Sequence, residues 1–227
     1  MIATSELKTS ERALHEHYAR IGKAVSSARR VELLTLLEQG ERSVEALAEA
    51  ASLSVTNTSQ HLQVLRAAHL VETRRDGTRV LYRLAGEDVS QFIHVLRELA
   101  QSRLAEVEQV LRHSVLAIDE LEPISREELL KRVKQGEVVV LDVRPHEEYL
   151  AGHIEGAVSV PLDELERRLE TLDASTPVVA YCRGPYCLLA PQAAATLRER
   201  GFSASRLEDG FPEWRLAQLP IAAGDDS

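Results

Sequence analysis

The chain has 227 residues, 44% of them hydrophobic and 28% charged, and a net charge of −9. That length supports two domains with separate cores, and that composition excludes a disordered or fibrous chain. No apolar run approaches the roughly 20 residues that span a bilayer, and no basic-then-apolar leader opens the chain, so a cytoplasmic protein without membrane contact is expected. The two cysteines then sit in a reducing compartment, where a disulfide is transient.

Net acidity does not exclude nucleic acid, because the charge is uneven. The acid is densest after residue 120, whereas Arg66, Arg74, Arg75, Arg79 and Arg83 face only Glu72 and Asp76 between 54 and 83. In chain order, Ile21, Val25, Ala28, Val31, Leu34 and Leu37 recur at helical spacing and predict a helix over 18–37, stopped by Gly40. Ser43 caps a short second helix. Ser52-Leu53-Ser54 forms a turn before a third helix over 55–67. Leu62 and Leu65 point that helix inward, leaving Ser54, Thr56, Asn57, Ser59, Gln60 and Gln63 to face base edges and phosphates. Two strand-like runs, 69–75 and 78–84, flank Asp76-Gly77, a hairpin signal. Arg74, Arg75 and Arg79 near its tip suit phosphate contact. Two short helices followed by a basic hairpin make a winged helix-turn-helix, with double-stranded DNA as the expected partner. An apolar helix over 88–116 (Phe92, Val95, Leu96, Leu99, Leu104, Val107, Leu111) is the candidate dimer seam.

The run Ser59-Gln60-His61-Leu62-Gln63-Val64-Leu65-Arg66, then His69-Leu70-Val71 and the arginine-rich wing, resembles the ArsR-type winged-helix repressors over about residues 15–115. The resemblance implies a homodimer on an operator of inverted-repeat half-sites, read by the 56–63 face. Many relatives sense metals. Here 43–50 holds no cysteine, and His94, Glu106 and His113 form no convincing ligand set, so no metal is expected. His61 reads as a packing histidine.

A linker is expected at 120–123, and Ser125 opens a capped helix. Strand candidates at 138–143, 157–160, 178–181 and 204–207 alternate with helices, which predicts an α/β domain with a parallel sheet. Ligands gather at the carboxyl ends of such strands, where Cys182 and the pair Asp142 and Arg144 lie. At a strand-to-helix turn Cys182 meets unpaired N–H groups and the positive end of a helix dipole, both favouring thiolate.

Leu141-Asp142-Val143-Arg144, Glu148-Tyr149, Gly152-His153-Ile154-Glu155-Gly156-Ala157, Val160-Pro161, Cys182 and Asp209-Gly210-Phe211-Pro212-Glu213-Trp214 resemble the rhodanese family over about 124–222. The resemblance implies that Cys182 is a nucleophile carrying a persulfide. Arg183 would help to bind an anionic donor, and Asp142 and Arg144 would brace the sheet. The loop departs from the common pattern: glycine is third, proline fourth and cysteine sixth. Pro185 removes one N–H donor, and Leu188 stands where related phosphatases place arginine, which disfavours phosphatase chemistry. Cys187 could resolve a Cys182 persulfide to a disulfide, or a polysulfide could bridge the two.

The expected architecture is thus a mainly-α winged helix-turn-helix domain (1–119) followed by a rhodanese-like α/β domain (120–227), with no cofactor. The expected function is a DNA-binding repressor sensing reactive sulfur (thiosulfate, persulfide or polysulfide) or redox state through Cys182 and Cys187. The alternative is a sulfurtransferase carrying a DNA-binding head, and a weaker one is a trivalent-arsenic sensor. The residues leave open whether sulfurtransferase turnover is significant.

Overall fold

The computed structural model of the chain describes residues 4–111, 113–114, 118, 123–169 and 173–225. Two compact units emerge, Met1–Ile93 and His94–Ser227. The boundary expected at 119/120 and the 120–122 part of the linker lie outside the described residues.

The first unit opens with α1 (Thr4–Val25) and α2 (Ala28–Leu37). Apolar spacing predicts one helix over 18–37, but the Ser26-Ser27 pair divides it. The Ser26 hydroxyl donates to the Lys23 carbonyl at 2.8 Å, and Ser27 turns extended (φ −146°, ψ 125°), so local side-chain bonding outcompetes the helical ladder. Strand β1 (Arg42–Ser43) leads into α3 (Val44–Ala50), where Ser43 Oγ accepts the Ala46 N–H. In α4 (Val55–Ala67) Ser54 Oγ accepts the Asn57 N–H at 3.2 Å.

The wing is β2 (Val71–Asp76) against β3 (Arg79–Leu84), with β1 on the far side of β3. Asp76 pairs with Arg79, so the turn residues are Gly77-Thr78 rather than Asp76-Gly77. Gly77 takes the positive φ (59°) such a turn requires. Fully buried Leu33, Leu34, Leu47, Leu62 and Leu65 form the core of this unit, closed by Ile93 of α5 (Glu87–Arg103).

The predicted 88–116 helix is also divided. After α5 the chain breaks at Leu104 and resumes as α6 (Ala105–Leu111); Leu116 lies outside the described residues. The Ser102 hydroxyl donates to the Leu99 carbonyl at 3.0 Å, a bond of the kind that bends helices.

The second unit continues with α7 (Arg126–Gln135), capped by Ser125, then β4 (Val139–Asp142), α8 (His146–Ala151), β5 (His153–Ile154), β6 (Val158–Ser159) and α9 (Leu165–Arg168). It closes with β7 (Val178–Tyr181), α10 (Leu189–Glu199), β8 (Ala204–Arg206), α11 (Phe211–Leu216) and β9 (Ile221–Ala222). Strands β6-β4-β7-β8 pair in parallel in that order, while β5 and β9 form a small antiparallel pair that periodicity did not reveal. From β4 the chain moves to one edge and then returns to β7 and β8 on the other. The order therefore reverses between β4 and β7, the point at which parallel sheets place their ligands.

Candidate functional site

Asp142 and Tyr181 are paired across β4 and β7, so the chain segments leaving both strands emerge side by side. Beneath them lies a fully buried ionic network. The Arg144 guanidinium donates to Asp142 (Nε–Oδ1 2.9 Å, Nη2–Oδ2 2.5 Å) and to the Gly152 carbonyl (2.7 Å). The Tyr181 hydroxyl donates to Asp142 Oδ2 at 2.5 Å and accepts the Ile154 N–H at 3.1 Å. Arg144 also lies over the rings of Phe211 (4.5 Å) and Tyr181 (5.5 Å). Asp142 and Arg144 thus bond to each other and tie β4, β5 and β7 together.

Between β7 and α10 runs Cys182-Arg183-Gly184-Pro185-Tyr186-Cys187-Leu188. Its path is fixed from behind by Gly210, where a Cβ would come within 2.1 Å of the Gly184 nitrogen. The Gly210 N–H donates to Glu213 Oε2 (3.1 Å), which holds the carboxylate beside Gly184. Glycine third in the loop is itself required, since Gly184 has a φ of 151°.

The two cysteines approach to 3.1 Å. Cys182 is buried at 2% exposure and Cys187 is half-buried. Cys182 Sγ lies 3.6 Å from the Cys187 carbonyl and 3.9 Å from the Gly184 carbonyl, an acceptor-rich setting that suits a protonated thiol. Burial, then its hydrogen bond to Cys187, pushes the Cys182 thiol well up. Cys187 receives that hydrogen bond, the N–H groups of Leu189 and Arg183, and the nearby Arg183 charge. Together they outweigh burial and hold Cys187 down at about 6. The two sulfurs share the loop, so the pair rather than either thiol alone carries the readily lost proton. The first proton of the pair is lost near pH 6, so alkylation by iodoacetamide should rise through pH 5–7 and level off by pH 8. A rate still climbing at pH 8–9 would mean ordinary thiols.

Arg183 does not face the site as an uncommitted cation. It forms a forked pair with Glu148, with Nε 3.0 Å from both carboxylate oxygens and Nη2 2.6 Å from Oε1. Glu148 is 1% exposed and Arg183 27%, so the charge at the loop is largely offset from within. Beside the loop lies a cleft of about 460 Å³ with apolar walls (Val143, Pro161, Leu162, Leu189), acidic Glu147, Asp163 and Glu164, and His146 and Arg183.

In the first unit Thr56, Asn57, Gln60 and Gln63 lie exposed on α4 and Ser59 half-exposed, while Ser54 serves as the α4 cap. Arg75 and Arg79 are exposed on the wing. Arg74 instead pairs with Glu41, a partner that pattern reading missed because the two lie 33 residues apart.

Comparison with known proteins resolves the family. Residues 27–73 match the model of the bacterial regulatory protein, arsR family, and residues 125–217 match the rhodanese-like domain. The HTH-type transcriptional regulator Rv0324 of Mycobacterium tuberculosis is 49% identical over 212 residues, covering 93% of each chain. The chain belongs to the ArsR family of HTH-type transcriptional regulators and carries a rhodanese-like domain. The putative sulfur carrier protein YrkF of Bacillus subtilis is 31% identical to the regulator over 104 residues, 45% of this chain and 55% of that one. Among solved structures, the homodimeric winged helix-turn-helix DNA-binding domain (fragment 1–100) of Mb0332 from Mycobacterium bovis is 44% identical. It covers 46% of the regulator and 94% of that chain, with a TM-score of 0.42. No helix among the regulator's described residues is long and apolar enough to cross a membrane.

Proposed function

We propose that the chain is a cytoplasmic, homodimeric repressor whose hold on an inverted-repeat operator weakens when Cys182 and Cys187 take up sulfur or are oxidised. One observation carries the reading: two free cysteines 3.1 Å apart in a strand-to-helix loop, on the same polypeptide as a winged helix-turn-helix. A structural role for the thiols would not require the two to approach each other so closely.

Support for DNA binding comes from the exposed polar face of α4 and from Arg75 and Arg79. An arginine that neutralises one phosphate contributes roughly one unit to the slope of log affinity against log salt. Arg75→Ala with Arg79→Ala is therefore expected to weaken operator and random DNA alike and to reduce that slope by about 1–2. An unchanged slope would show that the wing does not touch phosphate. Support for a dimer comes from apolar side chains left on the surface, Leu14 and Tyr18 of α1 and Val95 and Leu99 of α5.

The test is operator affinity of the reduced protein and of protein oxidised with diamide, followed by dithiothreitol. A tenfold or greater loss that dithiothreitol restores supports the reading; equal affinity in both states overturns it. Tenfold corresponds to only about 1.4 kcal/mol of coupling.

The sulfurtransferase reading is favoured by the N–H groups aimed at both sulfurs. A thiosulfate-using enzyme is disfavoured by the Arg183–Glu148 pair, which offsets the cation beside the loop, and by the three carboxylates of the cleft. Sulfide release from thiosulfate should accordingly be slow beside that from a hydropersulfide. Brisk turnover of thiosulfate and cyanide, with DNA affinity indifferent to sulfur state, would reverse the preference.

A further inference from the structure

We propose that helix α5 carries the state of the cysteine loop to the first unit, with Tyr186 and Glu213 as the positioning residues that tie the helix to the loop. The inference rests on the sulfur-sensing reading and names the route by which that same site regulates.

Helix α5 (Glu87–Arg103) begins in the first unit and ends in the second. Its first turns belong to the core of the first unit. Ile93 is fully buried there, and the Ser90 hydroxyl donates to Glu38 Oε1 at 2.8 Å. Its last turns meet the cysteine loop within the second unit. The hydroxyl of Tyr186, the residue before Cys187, donates to Gln101 Oε1, 85 residues away. Arg97 Nη1 and His94 Nδ1 lie 3.7 and 3.8 Å from Glu213 Oε1, so one carboxylate faces both side chains. Glu213 is 3% exposed, and its Oε2 accepts the Gly210 N–H at 3.1 Å. Both its oxygens would lie 3.6 Å from a Cβ at Gly184, so it stands against the loop backbone. The loop therefore reaches α5 directly through Tyr186 and indirectly through Glu213.

A helix is stiff along its length because each turn is hydrogen-bonded to the next, so a displacement at residues 94–101 is passed to residues 89–93. The cysteine loop supplies the displacement. Closing a disulfide draws the two cysteines from their 3.1 Å approach to a sulfur–sulfur bond of about 2.0 Å, and an inserted sulfur atom drives them apart. Tyr186 lies between Pro185 and Cys187, and the Pro185 ring fixes its own φ, so a shift of Cys187 is taken up at Tyr186. Val95 and Leu99, exposed at 48% and 54%, stand on the same helix, so the apolar face offered to a dimer shares its backbone with the loop contacts. Recognition helices in a dimer must match half-sites about 34–36 Å apart, so a small movement of α5 suffices to lower affinity.

The experiment uses the full-length protein, reduced and after diamide, a diazene that takes two electrons and two protons from the dithiol and leaves as a hydrazine. Backbone amide exchange over residues 94–103 of the wild-type protein should quicken about threefold or more on oxidation, as the contacts with Tyr186 and Glu213 loosen. Operator affinity is then read in both states for the wild type, Tyr186→Phe, Gln101→Ala and the double variant. Each single variant lacks the same hydrogen bond, so each should cut a tenfold response to about threefold, and the double variant should cut it no further. Unchanged exchange over 94–103, or a full response in both single variants, overturns the link, while a wild-type loss of affinity would keep the sensing reading. Quickened exchange with equal operator affinity in both states would retire the repressor reading while the link stands.

Discussion

Replacing Asp142 with alanine is expected to cost the second unit about 3–5 kcal/mol, with a fall in its melting temperature of roughly 10 °C or more. The carboxylate is fully buried and accepts hydrogen bonds from the Arg144 backbone and guanidinium and from the Tyr181 hydroxyl. Alanine would strand an arginine that is itself 0% exposed, and a guanidinium keeps its proton and its charge even when buried. The penalty arises from the orphaned charge rather than from the worth of the pair. Asp142→Leu combined with Arg144→Met should therefore cost less than Asp142→Ala alone. Calorimetry on the three proteins decides. A double variant as unstable as Asp142→Ala would contradict this account.

Gly210→Ala is expected to displace the cysteine loop. The backbone of Gly210 (φ −123°, ψ −171°) is one that alanine adopts readily, so the objection is purely steric. A methyl group there would lie 2.1 Å from the Gly184 nitrogen and 2.4 Å from its Cα, and neither neighbour is a flexible side chain. Relief requires the loop backbone to move by about an ångström, which would pull the N–H groups of Arg183 and Leu189 off the Cys187 sulfur. Alkylation of Cys187 at pH 7 should fall about tenfold or more as its acidity returns toward that of an ordinary thiol. Retention of wild-type alkylation would mean that the loop is not held from behind.

Much of this was legible in the sequence because it is local. Capping serines 43 and 125 each announced a helix start that the structure contains, and the β7 run 178–181 matches its strand to the residue. What escaped was of two kinds. Serine pairs and back-bonding hydroxyls cut the 18–37 and 88–116 helices, because apolar periodicity continues across a break that backbone chemistry makes. Long-range partners were equally hidden: Glu41 for Arg74 and Glu148 for Arg183 lie more than 30 residues away and change what each arginine offers. The cysteine loop combined both problems. Its position was plain from the strand before it and the helix after it, whereas the division of acidity between two thiols depends on which sulfur the backbone donors and carbonyls surround.

The most direct test of the sulfur-gated repressor is operator binding of the full-length protein titrated with cysteine hydropersulfide, with intact mass recorded on the same samples. The account predicts that affinity falls in step with loss of two mass units, the Cys182–Cys187 disulfide, and that Cys187→Ser neither loses those units nor releases DNA. Full conversion of the pair with operator affinity unchanged would contradict it.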